Sequence, residues 1–585
     1  MKIGLIGINK YAKFLNFACD LHIYAFQQFL TQHGYESAVL DYKPVYHGNF
    51  DMRHPVDYAE AKHREALERT ATTPEEIAAR KKDVAKWETL AEGYRGVRVE
   101  RERRFDKFEA FVKKNLVFTE EVYDSDLLEV QDPGFDCYIC VTDVIWQSLP
   151  RHMFDRGFLL GSKAFEGKQK IAYAASRGAS RDFTKREEAA FFGYLEDIDA
   201  ISVRERDFCR YIEDRSGLAA TTVMDPTLLQ DKEFWQKVST KPSQERYVLL
   251  YYVMERSTDT IAKAVEYAKF HDLTLVELSD RPFKEGKVTD PDVKHVSRYD
   301  VGMEEWLGYI EHADAVFTNS FHGCCFSVLF EKTFFVGSRN GQKVPNFLAT
   351  FGLDGRRFAP QADVSTFSHE IDYAAVNEIL AGLRRESGDF ILTALKDAEK
   401  RIESGEARDM SAHEEKRRQL AYPVRFHSGN IKQSASLSPE PGIEVKQLKR
   451  GAIEYSEPGR RYLNDGTSPL APNRFTADGY DFAGWTVRFR IDNRWFWCLD
   501  DGSVAPDNAT GSKVDSRKQL FADQAAIPHL PVNHVDVVVL VAKWRKRGSD
   551  RLAPTRWAIS MLPTPLRRAG RKVKRALKRL TATRA

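Results

Sequence analysis

Cysteine is scarce in this chain. Seven occur in 585 residues, an odd number at low density, which argues against the disulfide framework of a small secreted domain. No run of 18 apolar residues occurs, so no segment reads as a membrane-spanning helix. The opening MKIGLIGINKY has a six-residue apolar stretch, too short for a signal-peptide core and without a small-residue cleavage site. The expectation is a cytoplasmic chain. Walker loop, GxGxxG fingerprint and zinc-ligand set are also missing. Acid is missing from one place: nine Lys and Arg lie between Arg567 and Arg584 with no Asp or Glu among them. The net charge of +3 therefore hides an acidic body and a basic tail, and an acidic body is a poor general nucleic-acid binder. No specific nucleic-acid partner is expected.

What is present reads as α/β. Hydrophobic residues make up 42% and charged residues 30%, enough to bury real cores and too apolar for overall disorder. Residues 2–7 read as a buried strand, 17–33 as a helix with Gly34 as its C-cap, and 37–42 (SAVLDY) as the next strand. That β-α-β order implies a parallel sheet with a right-handed crossover. Residues 57–115 are dense in charge and helix formers, and Thr73-Pro74-Glu75-Glu76 is a good helix start. They read as a helical insertion packed on the sheet, with a lid or partner surface as the alternative. Alternation resumes at 136–141, 170–174, 200–203 and 222–224. A second run occupies 247–253, 258–271, 273–278, 304–311, 315–318 and a helix from about Gly323. The division is a Rossmann-like half at 1–235 carrying the 57–115 insertion, a second half at 236–403, a polar linker at 404–445, a small all-β module at 446–561 and a basic amphipathic tail at 562–585. Open parallel sheets bind ligands at the carboxyl ends of their strands, which makes the cleft between the halves the expected site.

Two strand ends carry chemistry. The first is AVFTNSFHGCC (315–325), where an apolar strand turns polar and Ser320, His322, Gly323 and Cys324 open a helix. Gly323 lets a ligand approach the backbone, a helix start favours an anion, and a histidine there exchanges protons near neutral pH. A capping or core histidine is the alternative. The second is AISVRE (200–205), where Arg204 suits bidentate capture of a carboxylate or phosphate, unless it serves as an ordinary ion pair. Cys137 and Cys140 lie at odd spacing in one strand, which points them to opposite faces and argues against redox or zinc use. The stretch GYDFAGW (479–485) and the RWFW run (494–497) read as core aromatics of a small sheet, with sugar stacking as the alternative.

In this order the pieces resemble the polysaccharide pyruvyl transferase family. The early turn, helix and strand end are carried by Asn16-Phe17-Ala18, Tyr24-Ala25-Phe26-Gln27 and Leu40-Asp41-Tyr42-Lys43-Pro44. Val141-Thr142-Asp143-Val144-Ile145-Trp146 and Tyr173-Ala174-Ala175-Ser176-Arg177-Gly178 follow. Ser202–Glu205 as SVRE, Asp225–Leu229 as DPTLL and Ser320–Gly323 as SFHG complete the series. Departures fall at Ala18, Val141 and Val144, and at Ser320, where many members carry arginine. An anion anchor is then expected from Arg177 or Arg339.

The resemblance implies two Rossmann-like halves in a GT-B-like arrangement and transfer of the enolpyruvyl unit of phosphoenolpyruvate to a sugar of a cell-surface polysaccharide or its lipid-linked precursor, closing a pyruvate ketal. It implies no resident cofactor or metal. His322 is then the acid that protonates the donor's methylene, and Asp143 accepts a proton from the attacking hydroxyl unless it caps a helix containing Trp146. Arg204, Ser320, Gly323, Cys324 and Arg177 bind the donor. The tail, with Leu566, Val573, Leu577 and Leu580 on one side and basic residues around them, is expected to hold the protein on the inner face of an anionic membrane. Competing readings are a nucleotide-sugar glycosyltransferase of GT-B type and a non-catalytic glycan-binding scaffold.

Overall fold

The structure is a computed structural model. It describes residues 1–547 apart from 9–14, 45–49, 52, 126, 130, 149–153, 179–181, 254–257, 280–289, 338–340, 406–420, 430–434, 439–441, 449–451, 459–461, 464–465, 492–493, 500–503, 508–517, 527–529 and 531–536. The basic tail at 562–585 and Arg339 lie outside the described residues. No described helix is long and apolar enough to cross a membrane.

The first half is built on β1 (Ile3–Gly7), β2 (Ser37–Tyr42), β3 (Phe118–Tyr123), β4 (Cys137–Asp143), β5 (Gln169–Ala175), β6 (Ala200–Val203) and β7 (Thr221–Thr222). They form one parallel sheet in the order β3-β2-β1-β4-β5-β6-β7. The chain winds outward one way from β1 and then returns to its other side at β4. The switch point lies between those two strands, with Gly7 paired to Val141 near their carboxyl ends. Helix α1 (Phe17–Gln32) follows β1. Asn16 caps it, its Oδ1 accepting from Ala18 N at 3.0 Å. Both sheet faces are covered, so the central strands are apolar throughout rather than alternating.

The insertion is helical, as its composition predicts: α2 (Pro55–Glu68), α3 (Pro74–Gly96) and α4 (Arg98–Asn115). Thr73 and Glu76 form the expected reciprocal cap. Helix α4 does more than cover the sheet. Its Phe108 and Phe111 enter the main core, and the fully buried Arg104 donates to Leu15 O at 2.7 Å in the first half and to Ser279 O at 2.8 Å in the second.

Helices α5 (Lys185–Leu195), α6 (Arg206–Ser216) and α7 (Lys232–Gln236) finish the first half. The second contains β8 (Tyr247–Tyr252), α8 (Thr258–Phe270), β9 (Thr274–Ser279), β10 (His295–Arg298), α9 (Met303–Glu311), β11 (Ala315–Thr318), α10 (Phe321–Leu329), β12 (Phe334–Val336) and α11 (Lys343–Thr350). Its parallel sheet runs β10-β9-β8-β11-β12, so its switch point lies between β8 and β11. Asn319 ties those strand ends together: its Oδ1 accepts from Val253 N and its Nδ2 donates to Val253 O. The long α12 (Tyr373–Glu403) returns to the first half, where Arg384 donates to Leu228 O and Gln230 O and Ser387 accepts from Met224 N.

The remainder is all-β. Tyr480–Ile491 pairs with Val537–Lys546 along ten residues and with Arg494–Cys498 on its other side. The strand Val424–His427, inside the stretch read as linker, also joins this sheet, parallel to Val537–Lys546. Trp485, fully buried, packs with Phe426, Phe475 and Phe482. The GYDFAGW tryptophan is thus core, as the packing reading of that stretch expects. Trp495 of the RWFW run is partly exposed and lies 4.2 Å from the Arg488 guanidinium.

One contact tests how the halves are joined. Thr240 N donates to Glu304 O at 2.9 Å, which lays the connecting segment on α9, and a Cβ on Gly308 would come within 1.8 Å of Thr240 O. Backbone cannot yield as a side chain can, so Gly308→Ala is expected to destabilise the protein by at least about 2 kcal/mol. Chemical denaturation checks this; an unchanged midpoint would show that the segment lifts off freely.

Candidate active site

The two switch points face each other, and a buried ionic cluster fills the junction. Its centre is Asp225, which follows β7 and whose side chain is fully buried. One carboxylate oxygen, Oδ1, accepts from Thr227 N at 3.1 Å and Thr227 Oγ1 at 2.8 Å. The other, Oδ2, accepts from Arg204 Nη1 at 2.7 Å and Thr142 Oγ1 at 3.4 Å, and His322 Nε2 stands 3.4 Å away. Burial alone would raise this carboxyl. The charge and hydrogen bond of His322, with Arg204, overcome burial and hold it well below the usual carboxylate range.

Arg204 leaves β6 and is met by three carboxylates: Asp225 at 2.7 Å, Asp143 at 3.3 Å and Glu205 at 3.4 Å. Its guanidinium also lies 4.6 Å from the Phe321 ring. Burial opposes its charge, and Glu205, Asp143 and Asp225 more than offset that. Three of its five N–H groups are thereby engaged. Asp143 ends β4. Burial pushes it up, but Lys343 at 3.6 Å, Arg204 and the two nearby histidines hold it below the usual range. Residues 144–148 are not helical, so Asp143 does not cap a helix containing Trp146. The indole of Trp146 is buried and donates to Phe158 O at 3.1 Å. Thr142 and Asp143 have φ of 39° and 64°. Left-handed non-glycine residues cost about 1–3 kcal/mol each and collect where geometry matters more than comfort. Here they turn Asp143 toward Arg204 while Thr142 reaches Asp225.

The second half supplies His322, which opens α10 at the end of β11. Ser320 caps that helix, its Oγ accepting from Gly323 N at 3.2 Å, and its own N donates to Thr318 Oγ1 at 3.0 Å. A Cβ at Gly323 would meet Thr318 Oγ1 at 2.5 Å. That close approach, within the protein, accounts for the glycine. Cys324 and Cys325 are fully buried and burial pushes both thiols up, so neither is poised as a nucleophile. Cys137 and Cys140 are likewise buried and lie in different hydrophobic clusters, on opposite sides of the sheet. Arg177 stacks near Tyr211 at 4.9 Å and Phe208 at 5.2 Å, with Asp182 at 3.9 Å as its carboxylate partner. The expected group therefore divides: Asp143, Arg204 and His322 come together, Ser320 and Gly323 shape the helix start that carries His322, and Cys324 and Arg177 lie in packing environments.

Two cluster members escaped the sequence reading. Lys343, at the start of α11, reaches Asp143 at 3.6 Å and Glu205 at 3.9 Å; burial, then Arg204, lowers its pKa. No motif surrounds it. His22 lies in α1 and is fully buried. Its ring is 6.2 Å from that of His322, and its Nε2 is 3.0 Å from Ile8 O. Its helix also carries Asp20, Gln27 and Gln28, so no local signal singled it out. Burial lowers its pKa to about 4, against the pull of Asp225 and Asp143. A cavity of about 120 Å³ adjoins the cluster, lined by Arg204, Phe321, Lys343, Asn346, Phe347 and Glu386.

His22, Asp225 and His322 place one ligand atom each within 4.8 Å of one another, a donor set that suits a divalent transition metal. The surroundings fit a proton better. Asp225 Oδ2 already accepts from Arg204. Three acids (Asp143, Glu205, Asp225) against Arg204 and Lys343 leave one negative charge, which one proton on a histidine balances.

A buried acid–base cluster thus lies between two doubly wound sheets of a two-half α/β protein. A family model described as polysaccharide pyruvyl transferase matches residues 19–339, and the chain belongs to that family. The match spans the switch point of the second half and every cluster member except Lys343, while β1, one side of the first switch point, precedes it. No curated protein sequence matches the chain. Among solved structures it is similar to UDP-N-acetylglucosamine 2-epimerase from Rickettsia bellii at 11% identity and TM-score 0.35, covering 68% of this chain and 98% of that one. The enzyme of the same name from Neisseria meningitidis, bound to UDP-GlcNAc, is 10% identical with TM-score 0.34, at 68% and 100% coverage. The T4 phage BGT in complex with UDP and Mn2+ is 11% identical with TM-score 0.31, at 68% and 99%.

Two stability measurements test the cluster. Arg204→Ala strands Asp225 and Asp143 as buried, uncompensated carboxylates, and the expected loss is about 3–5 kcal/mol. A loss below about 1 kcal/mol would show that water enters the site readily. The pH test concerns His22. Its folded pKa near 4 lies below the ordinary value of about 6.5, so in that window the unfolded chain binds the extra proton. Its stabilising contribution is full above pH 6.5 and falls by about 3 kcal/mol as pH drops toward 4. Comparing denaturation of wild type and His22→Gln across that window isolates the term; identical slopes would contradict a neutral buried His22.

Proposed function

We propose that this family member transfers the enolpyruvyl unit of phosphoenolpyruvate to the hydroxyls of a polysaccharide sugar, or of its lipid-linked precursor, and closes a pyruvate ketal. The observation that carries this reading is the Asp225–His322 pair at the meeting of the two switch points. Addition at the donor's C2 requires a proton on the adjacent methylene, and that carbon is a poor base. A histidine held 3.4 Å from a buried carboxylate is oriented by it and can present a proton to that carbon. The donor carries a carboxylate and a phosphate. Arg204, with N–H groups to spare, and Lys343 border the adjoining cavity and supply the positive charge for them. Asp143, tied to both cations and held well deprotonated, positions them and is a weak proton acceptor. The basic amphipathic segment at 562–585 would keep the enzyme beside lipid-linked acceptors on an anionic membrane surface.

The test is phosphate release. Purified protein, phosphoenolpyruvate and polysaccharide from cells lacking this protein should yield inorganic phosphate and a glycan heavier by one pyruvate ketal in mass spectra. His322→Ala should lower kcat by about 10²–10⁴-fold while the protein remains folded. Release of a nucleotide from a nucleotide sugar, with phosphoenolpyruvate untouched, would overturn the donor assignment. Wild-type turnover in His322→Ala would make that histidine structural.

A further inference from the structure

A ketal needs more than an acid. The attacking hydroxyl must give up its proton, and the leaving phosphate must receive one. Asp143 is poorly suited to either, since its carboxylate is committed to Arg204 and Lys343. Glu205 is committed at Oε1, to Ser176 Oγ at 2.7 Å and to Arg204; its Oε2 is buried and unpartnered but belongs to a carboxylate held between Arg204 and Lys343. Asp225 is saturated by Thr227, Arg204 and Thr142. His22 offers a neutral basic nitrogen to spare. The Nε2 of His22 pairs with a carbonyl, Ile8 O, and a carbonyl only accepts, so Nε2 carries the proton and Nδ1 the lone pair. That Nδ1 is buried and has no hydrogen-bond partner. A buried, unpaired acceptor is costly, and here it belongs to a residue grouped with Asp225 and His322.

We propose that His22 is the general base of the transfer, its Nδ1 taking the proton of the attacking sugar hydroxyl while His322 acts as the acid. The assignment rests on the donor reading given above. His22 comes from the first half and His322 from the second, so the pair forms only where the halves meet.

The steps balance. The hydroxyl oxygen bonds to C2 of the enolpyruvyl group and its proton passes to His22 Nδ1. The C2–C3 π pair takes a proton from the His322 imidazolium, making the methylene a methyl. The C2–O bond to phosphate then breaks with its electron pair, and His22 returns its proton to the departing phosphate. A second hydroxyl bonds to C2 and its proton goes to His322. One donor and two hydroxyls become one ketal and one inorganic phosphate, and both histidines regain their starting states. The groups facing His22 are Asp225, Asp143 and His322. The low proton affinity that burial gives His22 leaves it neutral across the neutral range, and makes its conjugate acid a ready donor to the leaving group.

The experiment uses the full chain and two variants. His22→Gln retains a donor for Ile8 O and removes the imidazole lone pair; His22→Asn removes both. Calorimetric titration with phosphoenolpyruvate alone measures donor binding, and phosphate release with the acceptor polysaccharide measures turnover. Donor affinity should stay within about twofold in His22→Gln, with kcat at least about 100-fold lower in both variants. A merely structural histidine predicts rescue by His22→Gln, so near-wild-type turnover there overturns the proposal. So does failure of both variants to fold, which would place the residue in the core. Wild type that neither binds phosphoenolpyruvate nor releases phosphate from it overturns the donor reading first, and this assignment with it. Turnover that survives dialysis against a chelator supports the proposal. Turnover lost to the chelator and restored by zinc or manganese overturns it by making His22 a metal ligand.

Discussion

The structure turns on one buried carboxylate. Asp225 has no exposure to water, and an isolated charge in that position would cost many kcal/mol. It is tolerated because four segments converge on it: Thr142 from the end of β4, Arg204 from the end of β6, Thr227 from its own turn and His322 from the start of α10. Each must hold its backbone in place for the charge to be met. The left-handed Thr142 and Asp143 are a cost of that requirement, and the arrangement joins elements almost 200 residues apart in sequence. Apolar packing makes the two sheets; this carboxylate sets where their carboxyl ends stand relative to each other.

The helical insertion supports the same junction from outside. Arg104 bridges carbonyls of both halves, Arg101 reaches Tyr299 Oη at 2.7 Å, and Lys107 and Lys114 pair with Glu305 and Glu304 on α9. The lysine pairs are partly exposed and contribute little individually. Arg104 is different: its guanidinium is fully buried over the Phe17 ring at 4.1 Å, where cation–π attraction and two hydrogen bonds act together. A hinge between halves would have to break these contacts, so opening of the cleft is resisted at α4 as well as at Asp225. Helix α12 adds a third strap, from the second half back to the turn that follows Asp225.

Much of this was legible in the residues. The strands that line both switch points are short apolar runs ending in polar residues, and that pattern identifies Arg204 and His322 without any contact information, whereas Asp143 came only with the family resemblance. The capping box at Thr73 and the helix start at Ser320 are local chemistry and read directly. What was hidden is long-range. Arg204 reads as a free anion ligand in SVRE, because nothing in four residues says that three carboxylates will surround it. Lys343 sits in an ordinary helix start, and its place beside Asp143 is set by the return of the chain after β12. His22 was obscured by its helix: a sequence buried on every face gives no amphipathic stripe against which a polar residue stands out. The strand Val424–His427 was missed because it is only four residues long and its pairing partners, Ile453–Ser456 and Val537–Lys546, both lie outside the polar stretch that contains it.

The departures from the family pattern can also be weighed physically. Val141 is fully buried in the central strand, and Val144 packs where a Cβ on Gly178 would meet its Cγ1 at 2.8 Å. Ser320 caps α10. Each replacement is absorbed by packing or capping, and none removes a member of the ionic cluster. That bears on the choice between an enzyme and an inert scaffold. Buried ion networks are rarely the cheapest way to stabilise a fold, and well-packed apolar side chains of similar volume often do as well or better. A chain whose only task was to hold a glycan would gain nothing from Asp225, Arg204, Asp143, Lys343 and two histidines kept dry at one junction, nor from the left-handed backbone that aims them. The cluster makes sense if its charges and protons are used.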